Sequence, residues 1–572
     1  MTRGGIDAPC ASGTFHGVPW VFHPRPLPVP EAGDSPLSLD LRTRVPEGGA
    51  LVRDRLAGEG QASRFFPADF RDPEAYRAKA AEIDARLTGS ARTDWLDAVS
   101  APGARAQARL EALREGRGYV VTTGQQPALF GGPLYSLYKA VTAAVLAERL
   151  EALVGAPVAP LFWTASEDHD WEEADHTYLV GVDNELHRIA LPEVDGSGSA
   201  PLHRLPIGPS VEACLEQVAQ HVPPTDFAPP LLELLREAYS ASATLPGAFE
   251  QVMAAMLEPL GVLFVQAHAP ALKRLSGPVL MHELEHSEAH EEALAERVAE
   301  LQAAGYKDQV HILEGGVNLF LEGPAGRERV YRDEAGVHLR HSEAAFTLDE
   351  VRACYEDDPS VLSPNVLLRP VVESAVFPTL AYIAGPSEQA YFAEMEPLFA
   401  AHGIGMPVIM PRLGATVVES KIGKVLDKFD LDISDLHRPF HEIAGDRARD
   451  EVPDAVRQAL GELQGTVARG VSTLTKAARE IDPTLKGPIQ HVRSVAFDAI
   501  GDVERKILQA VKRENEISLQ QIEKAHLHLF PDTRPQERVF NPFYYLVRYG
   551  DDFVADVAES FAAALPSLGR EG

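Results

Sequence analysis

Between residues 118 and 163 the chain runs strand, helix, strand with little sequence to spare. GYVVTT at 118–123 is β-prone and ends in Gly124. A turn-rich stretch, QQPALFGGP at 125–133, leads into a helical pattern through Leu150. After a Gly-Ala-Pro turn comes a second apolar run, VAPLFW at 158–163. Two strands joined across one helix must lie parallel with a right-handed crossover, so this unit predicts an α/β fold with a parallel sheet. Three more apolar runs fit that sheet: GVLFVQ at 261–266, TLAYIA at 379–384 and MPVIM at 406–410. The proline makes the last the weakest strand.

Other regions have a different texture. Alternation and Gly-rich turns at 309–340 (VHILEG, VNLFLEG, RERVYRDEAG, VHLRH) predict short antiparallel strands. That region, about 305–360, and the mixed segment 183–259 read as insertions into a core spanning 51–445. Residues 1–50 are rich in Gly and Pro and read as an irregular extension. From 446 to 530 the pattern is helical: Val452, Val456, Leu460, Leu463, Val467, Val471, Leu474, Ala478 and Ile481 recur at spacings of 3 and 4. A second series, from Ile489 through Val492, Ala496, Val503 and Ile507 to Ala510, follows Asp482-Pro483. Two amphipathic helices of more than thirty residues joined by a proline turn make an antiparallel coiled-coil arm. An exposed seam on such an arm needs a partner, so a homodimer is expected. The aromatic-rich segment 531–572 is expected to return to the core.

With 84 acidic and 53 basic residues the formal net charge is -31. Such a surface repels phosphate backbones and anionic lipid heads, which argues against nucleic-acid and membrane partners. No run approaches the roughly 20 apolar residues of a membrane span, and the first residues lack a secretory h-region. The three cysteines, Cys10, Cys214 and Cys354, are far apart and odd in number, against a disulfide framework. A cytoplasmic protein is expected.

Four constellations could carry chemistry. The first is the turn after 118–123. Gly124, Gly131 and Gly132 would allow close backbone approach, Gln125 and Gln126 would offer amides, and the following helix carries Tyr135 and Lys139. The amides opening that helix would suit an anion. A turn needed only by the fold explains the glycines equally well. The second is Trp163-Thr-Ala-Ser-Glu-Asp-His-Asp170, at the carboxyl edge of a parallel strand where open sheets bind ligands. His169, between Asp168 and Asp170 and after Glu167, suits acid–base work; an acidic helix start is the bland reading. No chelating spacing stands out there, and no metal is assigned. The third spans 365–412: Arg369 and Arg412 offer forks for carboxylate or phosphate, Glu373 follows Arg369, and Gly385, Ser387 and Glu388 form a turn after a strand. The fourth, His282-Glu283-Leu-Glu-His286, fits HExxH, the motif of a zinc peptidase. The charges that follow it suggest a solvated helix and an accidental match.

Together TTGQQPALFGGPLYSLYK, PLFWTASEDHD, LRPVVESAVFPTLAYIAGPSEQAYF, MPVIMPR and ERKILQAVKRENE…PQERVFNPFYYLVRYG resemble the cysteine-adding enzymes of bacillithiol biosynthesis, from about residue 51 to the C-terminus. The resemblance implies a Rossmann-like core related to nucleotidylyl transferases and class I synthetases. It implies connecting-peptide-like insertions and a coiled-coil arm supporting a homodimer. The implied reaction is amide formation between L-cysteine and the amine of glucosaminyl-malate. ATP, accompanied by Mg, is the sensible activator of the cysteine carboxylate. In place of the synthetases' histidine-bearing motif stands LFGGPL at 129–134; VESKI at 418–422 is the nearest counterpart of their lysine motif. On this reading Gly124, Gln125, Gln126, Gly131 and Gly132 hold nucleotide or substrate. Asp168, His169 and Asp170 bind or deprotonate the acceptor amine, and Arg369 and Arg412 hold carboxylates. A non-catalytic scaffold using the arm, which would bind no small molecule in its core, is the rival reading. A peptidase using His282, Glu283 and His286 is a third.

Overall fold

The computed structural model describes residues 39–566 and 568, apart from 324, 325, 335, 341, 343 and 344. Five parallel strands form the central sheet in the order Val408–Pro411, Thr379–Ala384, Tyr119–Gln125, Val158–Thr164, Leu263–Gln266. From the Leu263 edge, chain order reads third, second, first, fourth, fifth, which is the Rossmann arrangement. Alternate residues feed two cores: Tyr119, Val121, Phe162 and Phe264 face one cluster, while Val120, Leu161, Trp163, Leu263 and Val265 face the other. Burial on both faces is why these strands read as continuous apolar runs. Pro160 is tolerated because pairing to Leu263–Gln266 begins only at Leu161. The edge strand starts at Val408, after Pro407.

The helix Leu134–Val154 is buried along most of its 21 residues. The C-terminal helix Asp552–Ala564 packs on it, with Tyr138 and Phe561 ring centroids 5.4 Å apart, and the helix Phe543–Tyr549 packs on Asp552–Ala564. A second sheet is antiparallel, in the order Ala345–Phe346, Gly336–Leu339, Gly326–Asp333, Gly316–Gly323, Leu362–Pro364. The expected strand VHILEG at 310–315 is not one of them. The amides at its two ends go to carboxylates instead: Val310 N donates to Glu394 Oε2 at 3.3 Å and Gly315 N to Glu291 Oε2 at 2.9 Å. The segment 183–259 contributes Leu186–Ala190, paired with His176–Val180, and the helices Val211–His221, Ala228–Ala238 and Leu245–Leu257.

The stretch expected to be irregular over 1–50 falls outside the described residues up to 38. Within it, Asp40–Arg44 pairs antiparallel with Gly414–Val418. The arm consists of Asp454–Arg479 and Lys486–Glu514, 26 and 29 residues, shorter than the thirty and more that the apolar series predicts. Pro453 opens the first helix and the Asp482-Pro483 turn closes the hairpin. Val471, Ala478 and Ile489 are closed inside it, while Leu463, Leu474, Ile481, Val492 and Val503 stay exposed. Among the described residues no helix is long and apolar enough to cross a membrane.

Candidate functional site

A cleft of about 650 Å³ opens at the carboxyl ends of the parallel strands. Gly124 and Gln125 end the first strand, Trp163 belongs to the second, Ala267 follows the third, and Gly385 follows the fourth. The first and fourth strands are neighbours whose connections depart in opposite directions, so the cleft spans the switch point where such sheets bind ligands. Its roof comes from the antiparallel sheet through Phe320, Arg327 and Arg329.

Gln125, Gln126, Tyr135, Lys139, Glu167, Asp168, His169, Arg369, Ser387, Glu388 and Arg412 also line it. Lys139 is buried beneath the floor, with Nζ 2.8 Å from Gly124 O, 3.1 Å from Gln125 Oε1 and 2.6 Å from Glu388 Oε2. Burial pushes the Lys139 amine down. Burial would raise the Glu388 carboxyl, but Lys139 holds it below its ordinary value. Glu388 also accepts from Gly385 N at 2.7 Å and from the Tyr382 hydroxyl at 2.8 Å. Lys139 therefore shapes the loop and is spoken for as a ligand group.

Arg369 donates to Glu373 Oε2 at 2.7 Å and to the Tyr382 hydroxyl at 3.1 Å, over the Trp163 ring. Glu373 lies below the cleft, accepts from Thr122 Oγ1, and supports Arg369 rather than meeting a ligand. Arg412 forks onto Glu537 at 3.1 and 2.8 Å, with side chains 3% and 2% exposed. This corrects the expectation that Arg412 is free for a substrate carboxylate: the fork already holds one from its own chain.

In the acidic run, Asp168 accepts from the His169 amide at 2.7 Å and from Gln126 Nε2. Asp170 lies outside the cleft and caps the helix Trp171–Ala174, accepting from Glu173 N at 3.0 Å. Its expected part in proton transfer gives way to helix capping. His169 Nδ1 has no hydrogen-bond partner and lies 3.7 Å from Asp168 Oδ1. Burial and the neighbouring Asp170 and Asp168 raise the Glu173 carboxyl. Glu167 is paired at 2.7 Å with Lys273.

Gly131 and Gly132 are displaced from the cleft. Their φ values of 87° and 67° suit glycine, and a Cβ would press on Met256 and Ala128 respectively. The amides expected to receive an anion are occupied: Leu134 N donates to Phe540 O at 2.8 Å and Ser136 N to Pro133 O at 2.9 Å. Residues 418–422 also lie outside the cleft; Glu419 accepts from the Tyr544 and Tyr549 hydroxyls at 2.7 and 2.9 Å.

Arg327, Arg329, Arg538, Asn365 and Tyr391 line the cleft and were missed. The signal was present in RERVYR, which puts Arg327 and Arg329 on one face of a strand, but only the roof's docking reveals which face. Among the described residues neither arginine has a carboxylate within 4 Å, although Glu167 and Asp168 act on Arg327 from farther away. Arg329 Nε is buried without a partner. With Arg538, which also has no carboxylate within 4 Å among the described residues, these are the cleft's cations without an ion partner.

The HExxH helix, Pro270–Ala303, is solvated on one face, where Glu285, His286, Glu288 and Glu292 are exposed, whereas Glu283 on the other face is fully buried. A peptidase arrangement is nevertheless not formed. Glu283 is bound on both oxygens, by Asn318 and His290, and the His286 ring is turned back onto His282 O.

Residues 40–413 match the bacillithiol biosynthesis BshC N-terminal Rossmann-like domain, and 415–564 match the C-terminal coiled-coil domain of the same family. A relative named "Putative cysteine ligase BshC" from Salinibacter ruber is 31% identical over 502 residues, covering 86% of this chain and 90% of the relative. Its namesake in Chlorobaculum tepidum is 31% identical, covering 80% and 83%, and that of Koribacter versatilis 30%, covering 90% and 96%. A parallel Rossmann sheet, a helical arm and similarity along most of the chain agree, and the protein belongs to the BshC family of cysteine ligases of bacillithiol biosynthesis.

Proposed function

We propose that the switch-point cleft joins the carboxyl of L-cysteine to the glucosamine amine of glucosaminyl-malate, with ATP activating the carboxylate. The observation that carries this reading is that two cations without a carboxylate partner, Arg327 and Arg329, line the same cleft as a His169 nitrogen without a hydrogen-bond partner. The arginines suit malate carboxylates or nucleotide phosphates, for which guanidinium forks are matched in shape and charge. Trp163, Phe320 and Tyr391 give the cleft apolar walls.

The cysteine carboxylate oxygen attacks the α-phosphorus of ATP and pyrophosphate leaves. The acceptor amine then attacks the acyl carbon, transfers its proton to His169, and AMP departs with the electron pair of the broken C–O bond. Asp168 holds the His169 backbone and lies 3.7 Å from its ring nitrogen. Asp168 and Glu173 both line the cleft and offer two carboxylates to a cation. They are the residues that would hold Mg arriving with ATP, which would neutralise phosphate charge. A cytoplasmic homodimer, closed over the exposed outer stripe of the arm, completes the reading.

Purified protein incubated with glucosaminyl-malate, L-cysteine and ATP-Mg, with each component omitted in turn, tests it by mass spectrometry. Bacillithiol that depends on ATP is expected. Product without ATP would require another activated cysteine donor, and no product would remove the assignment. His169→Ala should lower product formation while leaving the melting temperature unchanged; undiminished activity would remove His169 from the chemistry.

A further inference from the structure

The long helix Pro270–Ala303 packs against Pro386–Ala401, whose end is capped by His402. This brings three histidines together away from the cleft. His282, His290 and His402 each offer a ring nitrogen, all within 4.8 Å of one another. The side chains of His290 and His402 are 3% and 2% exposed. His290 Nδ1 is 2.7 Å from Glu283 Oε2, which leaves its Nε2 uncommitted. Glu283 is itself fixed by Asn318, whose N and Nδ2 donate at 3.0 and 2.9 Å. His282 Nδ1 and His402 Nε2 are buried without hydrogen-bond partners; His402 Nε2 lies 3.7 Å from Glu283 Oε2, beyond hydrogen-bond range. Orphaned polar atoms are rare in protein interiors, and here two belong to one histidine cluster.

We infer that His282, His290 and His402 form a binding site for a divalent transition-metal cation of the zinc class, with Glu283 as the carboxylate that orients His290. Three neutral imidazoles without a carboxylate ligand suit zinc or its neighbours rather than magnesium or calcium, which take oxygen. A buried carboxylate on the far nitrogen of a ligating histidine is the usual support of such a site. Nitrogens around a tetrahedral zinc lie roughly 3.4 Å apart for bonds near 2.0–2.1 Å, so rotations of the rings close the remaining gap. His286 takes no part: it sits at a kink with φ -118° and is bonded to its own helix. With Glu283 bound on both oxygens, no base is left to activate a metal-bound water, so the cation braces the fold. It would tie the end of the switch-point helix to the long helix. Through Glu283, Asn318 and Asn365, whose Nδ2 donates to Asn318 Oδ1 at 2.9 Å, it connects to the cleft wall.

The test uses untagged full-length protein. Metal content is measured as purified, and the chelator-stripped protein is then titrated with Co2+ followed by Zn2+. About one zinc per chain, or a saturable visible Co2+ band of tetrahedral intensity that Zn2+ abolishes, is expected. Zinc should also raise the melting temperature. His282→Gln and His402→Gln should each lose the band and that rise. Absence of both stoichiometric metal and a tetrahedral Co2+ spectrum in the wild-type protein would overturn the inference and leave a hydrated histidine cluster. So would a band that persists in both variants.

Discussion

Removing the Arg412 cation separates an architectural residue from a substrate-binding one. In Arg412→Met the Glu537 carboxylate, 2% exposed, loses two charge-assisted hydrogen bonds at 2.8 and 3.1 Å. Leu413 O loses its 3.1 Å donor as well. A buried charge stripped of its partner costs about 3–5 kcal/mol. At 1.36 kcal/mol per decade the folded-to-unfolded ratio should fall roughly 10²- to 5 × 10³-fold. Urea denaturation followed by far-UV circular dichroism measures this directly. Arg412→Met with Glu537→Leu should recover most of the loss, because replacing both members leaves no uncompensated charge. Activity of that double variant separates the roles: recovery with stability assigns Arg412 to the scaffold. A single variant within about 1 kcal/mol of wild type would refute the reasoning, because a surface pair has that worth. A stable double variant without activity would return Arg412 to substrate binding.

Arg329→Ala should weaken ligation roughly 10- to 100-fold through an unmade charged hydrogen bond, with little change in melting temperature; steady-state kinetics in each substrate shows which anion it holds. His268, whose Nδ1 is 2.7 Å from Ser166 Oγ, is lowered to about 4 by burial first and by His203 next. Its stabilising contribution is present above its ordinary value of 6.5 and is lost as pH falls from there toward 4. His268→Asn should therefore flatten the stability profile over that window, as read by denaturation at several pH values. Leu474→Glu with Val492→Glu should convert a dimer to monomer in sedimentation equilibrium without unfolding the core; a monomeric wild type would remove the homodimer.

The strands 119–125, 158–164, 263–266 and 379–384 were legible because burial on both sheet faces leaves uninterrupted apolar runs, and Gly and Pro mark their ends. The cleft position of Gln125, Gln126, Glu167, Asp168 and His169 was legible because a parallel strand delivers its carboxyl end to one edge. The arm was legible from spacing alone, although its helix lengths depended on where Pro453 and Asp482 interrupt the pattern. The bland reading of the HExxH helix held for its exposed face but not for Glu283 and His290, because sequence shows charges but not the opposing elements that cover them: Asn318 and His402 come from distant segments.

Sequence by itself determined the parallel α/β core, the helical hairpin and the chemical character of the cleft's floor, since those follow from local periodicity and from chain direction. Tertiary structure decided which charges are available. Glu537 neutralises Arg412 across 125 residues, Glu388 takes Lys139, and the roof strand turns Arg327 and Arg329 inward without matching them. A charge is free or spent according to what lies within about 4 Å of it in space, and a sequence orders residues only along the chain.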